Sequence, residues 1–394
     1  MSLPPAVILG GAENAVSVAR SLDSAGIVVH AVGQTSSPVR YSRSCHHFAD
    51  VNVNGSVQAA WLQWLEREGP RGAVVLPCDD DGVELIARHR QTLVDRGYLV
   101  FEADDQVMLD MLDKDRTYEL AREIGVDSPS TFTVRTEAEL DEVLSKVSYP
   151  VGLKPVHAHL FKRHSGTGLK AMTVHDRAEL ERNVRDFVSR GLDMLITEIV
   201  PGAEDQFAGY YSYLDADGQP LFHFTKQKVR QNPPVFGDGS YHVTTWDPEV
   251  ARLGLEFFQG VGVRGLANVE FKRDARDGRW KLIECNHRFT AINELLRASG
   301  CDVALFAYNR LVGRPTPKLD GYRTGVRIWQ PLNDARAAWA LLRRRELSVE
   351  SWARSWAASK HVPMFRWDDP APTLGKTYWR LRKLSARLAE RTGR

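Results

Sequence analysis

The chain has 394 residues, 43% hydrophobic and 26% charged, with 30 Gly and 19 Pro. This is globular composition, which excludes collagen-like, coiled-coil and low-complexity architectures and predicts two or three domains. Its 52 basic residues almost balance its 50 acidic ones, so bulk charge gives no argument for nucleic acid.

Four scattered cysteines, Cys45, Cys78, Cys285 and Cys301, contain no C-x-x-C pair. Neither a zinc cluster nor a disulfide framework follows from that spacing, and a reduced, cytoplasmic setting is the simplest expectation. No run approaches 18 apolar residues, and the first eleven residues lack the basic start and long apolar stretch of a signal peptide. Neither a membrane span nor a leader is therefore expected.

In chain order, Ala6-Val7-Ile8-Leu9 predicts a buried strand stopped by Gly10-Gly11. Val16, Ala19, Leu22 and Ala25 follow at helical spacing, and Gly26 suits a helix end. Strands are predicted at Ile27 to Val32, Ala73 to Pro77 and Tyr98 to Val100, with helices between them. Such alternation means parallel strands and crossover helices. The first domain is expected to end near residue 105.

Gly10-Gly11-Ala12-Glu13-Asn14 lacks a full G-x-G-x-x-G, so a dinucleotide site is a minor alternative to a plain strand-to-helix turn. Cys78-Asp79-Asp80-Asp81 falls at a strand's carboxyl end, where open parallel sheets bind ligands. Asp79 or Asp80 can touch a substrate there, or Asp80 or Asp81 can cap the next helix.

The chemistry-bearing residues lie between 114 and 290. Tyr149 to Pro155 reads as an apolar strand carrying one lysine, Lys154. A lysine so placed is costly unless an anion meets it. Lys162 to Leu169 is a basic loop whose Gly166 and Gly168 allow close approach of backbone N–H groups to phosphate. Nearby His157, His159 and His164 lack a fourth ligand for zinc and are read as loop hydrogen-bonders. Leu195 to Val200 is a strand entering the Pro201-Gly202 turn, with acids at both ends. Ala267 to Lys272 and Trp280 to Asn286 predict a hairpin around Asp277-Gly278. Glu284 and Asn286 share one face of it, and pairing can bring Glu270 to that face too. Two carboxylates and an amide oxygen would repel without a cation, and such hard oxygens suit Mg²⁺.

The stretch Asn268-Val269-Glu270-Phe271-Lys272 followed by Leu282-Ile283-Glu284-Cys285-Asn286-His287-Arg288-Phe289 resembles the ATP-grasp superfamily. The likeness is to its carbamoyl-phosphate-synthetase-like carboxylate–amine ligases, the D-aspartate-ligase-like group included, and covers about residues 1 to 315. Where that family usually has a proline, this chain has His287.

The resemblance implies an α/β and α+β ATP-grasp fold with a Rossmann-like pre-grasp domain at residues 1–105. A linker and lid lobe would occupy residues 106–200, and a lobe with the metal site 201–318. It further implies that Lys114 and Lys154 bind phosphates and that Ser165, Gly166, Thr167 and Gly168 close over them. Glu198, Ile199 and Val200 would read adenine with their backbone. Glu204, or its neighbour Asp205, would hold ribose. Glu270, Glu284 and Asn286 would hold Mg²⁺ or Mn²⁺, and Arg288 would neutralise the transferred phosphoryl group.

The activity so implied is ATP-dependent activation of a small carboxylate, an amino acid, as an acyl phosphate that an amine then attacks to give an amide. The same fold also allows an enzyme that stops at phosphorylation or uses bicarbonate. A non-catalytic nucleotide-binding regulator and a dinucleotide-dependent oxidoreductase stand as alternatives. Lys226, Lys228 and Arg230 alternate on one strand and face an anionic substrate in this reading, Lys228 and Arg230 as catalytic groups. Arg297, on a helix closed by Gly300, is a further candidate to approach the site.

From Arg323 to Arg394 there are 16 Lys or Arg, six Asp or Glu and six of the ten Trp, a net +10 that leaves −8 for the rest. This contrast predicts a separate basic module at residues 319–394. Leu381, Leu384 and Leu388 share a helical face there. That helix can dock on the acidic body or lie on an anionic membrane surface. Small-molecule substrates are the expected partners, a homodimer is allowed, and no nucleic-acid module is present.

Overall fold

The structure, a computed structural model, describes residues 3–51, 56–156, 171–358 and 360–392. They form two compact units.

The first unit comprises residues 1–105, 288–328 and 361–394. Its strands β1 (Ala6–Leu9), β2 (Val29–Gly33), β3 (His47–Asp50) and β4 (Val74–Pro77) form a parallel sheet in the order β3-β2-β1-β4. Every residue of β1 and β4 is buried, as their unbroken apolar runs require for strands covered on both faces. Strand β3 carries two polar ends and only half-buried residues between them, so no periodic signal announced it. The strand expected at Tyr98 to Val100 is reduced to a single bridge from Leu99 to Val74.

Strand order reverses between β1 and β4, which sets Gly10-Gly11 beside Asp79. The Gly11 N–H donates to Asp79 Oδ2 at 3.2 Å. Gly10 has φ of +66°, and a Cβ there would meet Asp79 Oδ2 at 1.8 Å. The glycine turn is thus shaped by a carboxylate packed against it. Asp79 also caps the helix Asp80–Asp95, accepting from Gly82 N at 2.9 Å. Burial, and then the neighbouring Asp81, push its pKa up to about 7.

The second unit comprises residues 106–287 and 329–360. One of its sheets is antiparallel, with β5 (Thr131–Val134), β6 (Val151–Pro155), β7 (Met172–Val174) and β8 (Met194–Glu198) in the order β5-β8-β6-β7. Leu140 and Val184, from the helices Glu137–Val143 and Arg177–Ser189, join Val151, Leu153 and Ile196 in its core. The larger sheet contains β9 (Phe207–Leu214), β10 (Phe224–Asn232), β11 (Asp238–Thr245), β12 (Gly265–Arg273) and β13 (Trp280–Asn286). These run in the order β13-β12-β9-β10-β11, each pair antiparallel.

The basic C-terminal residues, expected as one module, are divided between the two units. Buried ion pairs account for the division. In the second unit Arg230 makes a two-pronged pair with Asp334, Nε to Oδ1 at 2.7 Å and Nη2 to Oδ2 at 3.0 Å, and reaches Ser355 Oγ at 3.0 Å. In the first unit Arg20 bonds Asp369 Oδ2 at 2.9 Å and the Met364 carbonyl at 3.0 Å. All four charged side chains are nearly inaccessible. Removing one member of such a pair strands the other, at a cost of about 3–5 kcal/mol. An Asp334→Ala protein should therefore unfold at clearly lower denaturant concentration, measured by urea titration, whereas Glu350→Ala on the exposed helix Val349–Ala357 should not.

Candidate active site

The second unit gathers the charges singled out by the sequence. Strands β12 and β13 pair with Glu270 opposite Glu284 and Asn268 opposite Asn286. Directly opposed side chains share a face about 4.5–5.5 Å apart, where like charges repel. The repulsion is relieved from β10. Lys226 Nζ donates to Glu270 Oε1 at 2.8 Å, and Lys228 Nζ donates to Glu270 Oε2. Burial alone would raise the Glu270 pKa, but the two ammonium groups outweigh it and hold the carboxyl well below the usual range. Glu284 is exposed and makes no ion pair among the described residues.

Lys226 reaches Glu270 by crossing β9 at Gly209, the residue opposite both. A Cβ at Gly209 would meet Lys226 Cε at 2.7 Å, so a side chain here would push the lysine off the glutamate. His242, on β11 opposite Lys228, lies 3.5 Å by Nδ1 from Lys226 Nζ. Burial, then Lys226 and Lys228, keep its pKa well below the ordinary value, so the ring is neutral at pH 7.

Lys154 stands on β6 with its ammonium 5.3 Å from the centre of the Phe236 ring. Burial, then the charges of Lys114 and Lys228 against the opposing pull of Glu284, lower its pKa to about 8. Gly152 makes room for Phe236, since a Cβ there would lie 2.5 Å from the ring. Lys114 is the first residue of the helix Lys114–Ile124, which Asp113 caps and which Tyr118 ties to the Ile283 carbonyl at 2.7 Å. A lysine opposes the helix dipole at that end, so its placement is not explained by helix stability. Lys114, Lys154, Lys226 and Lys228 thus outnumber Glu270 and Glu284 by two charges, a surplus that suits an anionic ligand.

Glu204 is buried, its Oε1 accepting from Val235 N at 2.9 Å and its Oε2 without a partner among the described residues. Asp205 differs: its Oδ1 accepts from Gln206 at 3.4 Å and its carbonyl from Gln227 at 2.7 Å. The Glu198 carboxylate is engaged by Arg276, by Lys281 at 3.4 Å and by Ser130 N at 3.2 Å. Contacts from Glu198, half-buried Ile199 and buried Val200 to a ligand would therefore fall to the main chain. His287 in place of the usual proline is anchored, its Nε2 lying 2.6 Å from the Arg264 carbonyl.

Arg230 does not join the two lysines. The ladder shifts register against β11 between Lys228 and Arg230, and the guanidinium turns to Asp334 and the Tyr241 ring. Arg288 belongs to the first unit, where its Nε donates to Asp80 Oδ1 at 2.6 Å. Arg297 pairs with Glu294 at 2.5 Å. Ser165, Gly166, Thr167, Gly168 and the histidines His157, His159 and His164 lie outside the described residues. Sequence reasoning missed Gly209, His242 and Lys272, because cross-strand register, not spacing along the chain, gives them their neighbours. It also missed Phe236, which lies between β10 and β11 and meets Gly152 and Lys154 of the other sheet.

No family model matches the chain. A D-aspartate ligase of Enterococcus faecium is 23% identical over 78% of this chain and 77% of its own length. Carbamoyl phosphate synthase large chains are also matched; of the Methanopyrus kandleri C-terminal section, 24% identical, this chain spans 47%. Among solved structures, an L-amino acid ligase from Bacillus licheniformis superposes with a TM-score of 0.59 at 16% identity, over 79% of this chain and 75% of that one. The biotin carboxylase domain of a Hydrogenobacter thermophilus 2-oxoglutarate carboxylase, in complex with MgADP, gives 0.62 at 15% identity over 83% and 74%. The chain has the ATP-grasp fold, and the curated relatives it resembles in sequence include a D-aspartate ligase and carbamoyl phosphate synthase large chains.

Proposed function

We propose that this protein is an ATP- and Mg²⁺-dependent ligase that joins a small carboxylate, an amino acid, to an amine. The observation that carries the reading is the opposed pair Glu270 and Glu284 set among four lysines. The likeness to D-aspartate ligase adds the substrate class.

The chemistry divides into two balanced steps. A carboxylate oxygen attacks the γ-phosphorus and ADP leaves. The amine nitrogen then attacks the acyl carbon, inorganic phosphate leaves, and the nitrogen gives up its proton. Phosphoryl transfer asks for positioning and charge neutralisation rather than covalent help. Lys114 and Lys154 neutralise the phosphates. Lys226 and Lys228 present positive charge to the reacting carboxylate. Glu198, Ile199 and Val200 read adenine through their main chain, and Glu204, whose Oε2 lacks a donor, takes the ribose in preference to Asp205. Arg230 acts through Asp334, positioning β10 rather than touching substrate.

The donor set fits Mg²⁺. Among the described residues Glu284 makes no ion pair and Asn286 follows two residues on, while Glu270 has lysine ammonium groups to exchange. Among the described residues no three His, Cys, Asp or Glu side chains form a cage by themselves, so phosphate oxygens and water would complete the shell, as Mg²⁺ ordinarily prefers. Bound there, the ion would supply Lewis-acid neutralisation of phosphoryl oxygens.

A panel of amino acids and amines, scored for ADP release with mass analysis of the product, tests the reading. It predicts ADP formation that requires both an acid and an amine, and a product lighter than their sum by one water. ADP release with bicarbonate alone would instead favour a carboxyphosphate-forming enzyme.

Peripheral contact with an anionic lipid surface belongs to the same proposal. No described helix is long and apolar enough to cross a membrane. The helix Ala371–Thr392 packs in the first unit through Gly375 and Trp379 against Tyr41, and Lys376 pairs with Glu13. Its Leu374, Tyr378, Leu381 and Leu384 are exposed. Seven Lys or Arg against one Glu from residue 371 onward suit acidic headgroups and would set two copies of the helix against each other. The protein should co-sediment with phosphatidylglycerol vesicles in low salt, and Leu381→Glu with Leu384→Glu should abolish this. Equal sedimentation with neutral vesicles would contradict it.

A further inference from the structure

Two rows of side chains cross one face of the larger sheet. The first is Lys226, Gly209 and Glu270, opposite one another on β10, β9 and β12. The second, two residues along, is Lys228, Phe207 and Lys272. Period-two alternation places both rows on the same side of the sheet. Lys272 is therefore a third lysine, beside Lys226 and Lys228, on the sheet face that carries Glu270.

Among the described residues it differs from its neighbours in having no ion pair. Lys272 is only 5% exposed. Lys226 and Lys228 pair with Glu270, and Lys281, opposite Lys272 on β13, pairs with Asp274 at 3.0 Å and Glu198 at 3.4 Å. Among the described residues Lys272 touches instead the face of Phe207, its Nζ 5.0 Å from the ring centre, a ring it shares with Lys228 at 4.3 Å. A buried ammonium without an ion pair is expensive unless a ligand supplies the missing acceptor. The chain just after Glu204 runs beside Lys272: Phe207 lies opposite it, and the Gln206 carbonyl accepts from Arg273 N at 2.9 Å. Burial lowers the Lys272 pKa, and the Glu204 carboxylate pulls the other way. Glu204 has the complementary deficit, a buried Oε2 with no donor.

We infer that Lys272 and Glu204 together clamp the sugar of the nucleotide, the lysine donating to a hydroxyl oxygen while the carboxylate accepts from a hydroxyl. A vicinal diol answers both deficits at once, since each hydroxyl is donor and acceptor. A phosphate would satisfy the lysine but repel the carboxylate. The inference rests on the nucleotide-binding reading above and adds to it a residue that reads the nucleoside end.

Calorimetric titration of the full chain tests it with three probes: ADP, 2′,3′-dideoxy-ADP and inorganic tripolyphosphate. Wild-type protein should bind ADP about tenfold or more tightly over the dideoxy analogue, a factor worth about 1.4 kcal/mol. Lys272→Met should lose about tenfold in ADP affinity, lose that discrimination, and keep wild-type affinity for tripolyphosphate. Because methionine removes an unpaired buried charge at similar length, its melting temperature should equal or exceed that of wild type. Lys272→Arg should keep more ADP affinity than Lys272→Met. Unchanged ADP affinity in Lys272→Met, or an equal loss for ADP and tripolyphosphate, would overturn the assignment. Wild-type protein that binds tripolyphosphate but does not distinguish ADP from its dideoxy analogue would overturn it too, leaving the phosphate site standing. Failure of wild type to bind any of the three would sink the nucleotide reading as well.

Discussion

Glu284→Gln should leave the protein folded with an unchanged melting temperature and reduce ADP formation by about a hundredfold or more. The side chain is exposed and makes no ion pair among the described residues, so its loss disturbs little packing. Its proposed work, holding a cation against phosphate oxygens, stabilises the transferring group by several kcal/mol, and each 1.36 kcal/mol is tenfold in rate. Glu270→Gln should look different. It too should lose turnover, but it leaves Lys226 and Lys228 buried without their carboxylate, which costs about 3–5 kcal/mol of stability. Thermal melting beside a coupled ADP assay separates the two. A Glu284→Gln protein with wild-type turnover would remove the metal role from this hairpin.

Lys154 makes the second large effect pH-dependent. Its pKa in the ligand-free protein is lowered to about 8 by burial first and by Lys114 and Lys228 next, against the opposing pull of Glu284. A polyphosphate beside it favours the ammonium form and raises that pKa. Binding then takes up a proton whenever the pH lies above about 8. ADP affinity should accordingly be flat below pH 8 and fall by up to tenfold per unit as pH rises beyond it. Lys154→Met should bind ADP far more weakly, by about a hundredfold, and lose this pH dependence. Calorimetry in buffers of different ionisation enthalpy reads both the affinity and the proton uptake. For folding the sign reverses: between about 8 and 10.5 the unfolded lysine holds a proton that the folded one has lost, so this group adds stability as pH rises through that window.

The apolar runs of β1 and β4 announced themselves, because a strand buried on both faces needs no polar alternation. Strand β3 did not, since His47 to Asp50, exposed at both ends and half-buried between, has neither apolar run nor alternation. The Glu270, Glu284 and Asn286 set was legible because period-two alternation and a short turn confine a hairpin to few registers. The alternation of Lys226, Lys228 and Arg230 pointed to one shared face, and it held for the first two. The register shift after Lys228 and a partner 104 residues away, Asp334, took Arg230 elsewhere. Composition located the basic, Trp-rich tail but not its division between two units, which rests on the long-range pairs Arg20–Asp369 and Arg230–Asp334. Gly209 and Lys272 carry no local pattern, and their meaning comes from the strands beside them.

The account turns on a polyphosphate held between buried ammonium groups and a cation gripped by the β12–β13 hairpin. The most direct measurement is ADP affinity of wild-type and Glu284→Gln protein, each with excess Mg²⁺ and with EDTA. Mg²⁺ should tighten ADP binding by wild type and leave that of Glu284→Gln nearly unchanged. Wild-type affinity that is the same in EDTA, or equal tightening in both proteins, would contradict the account.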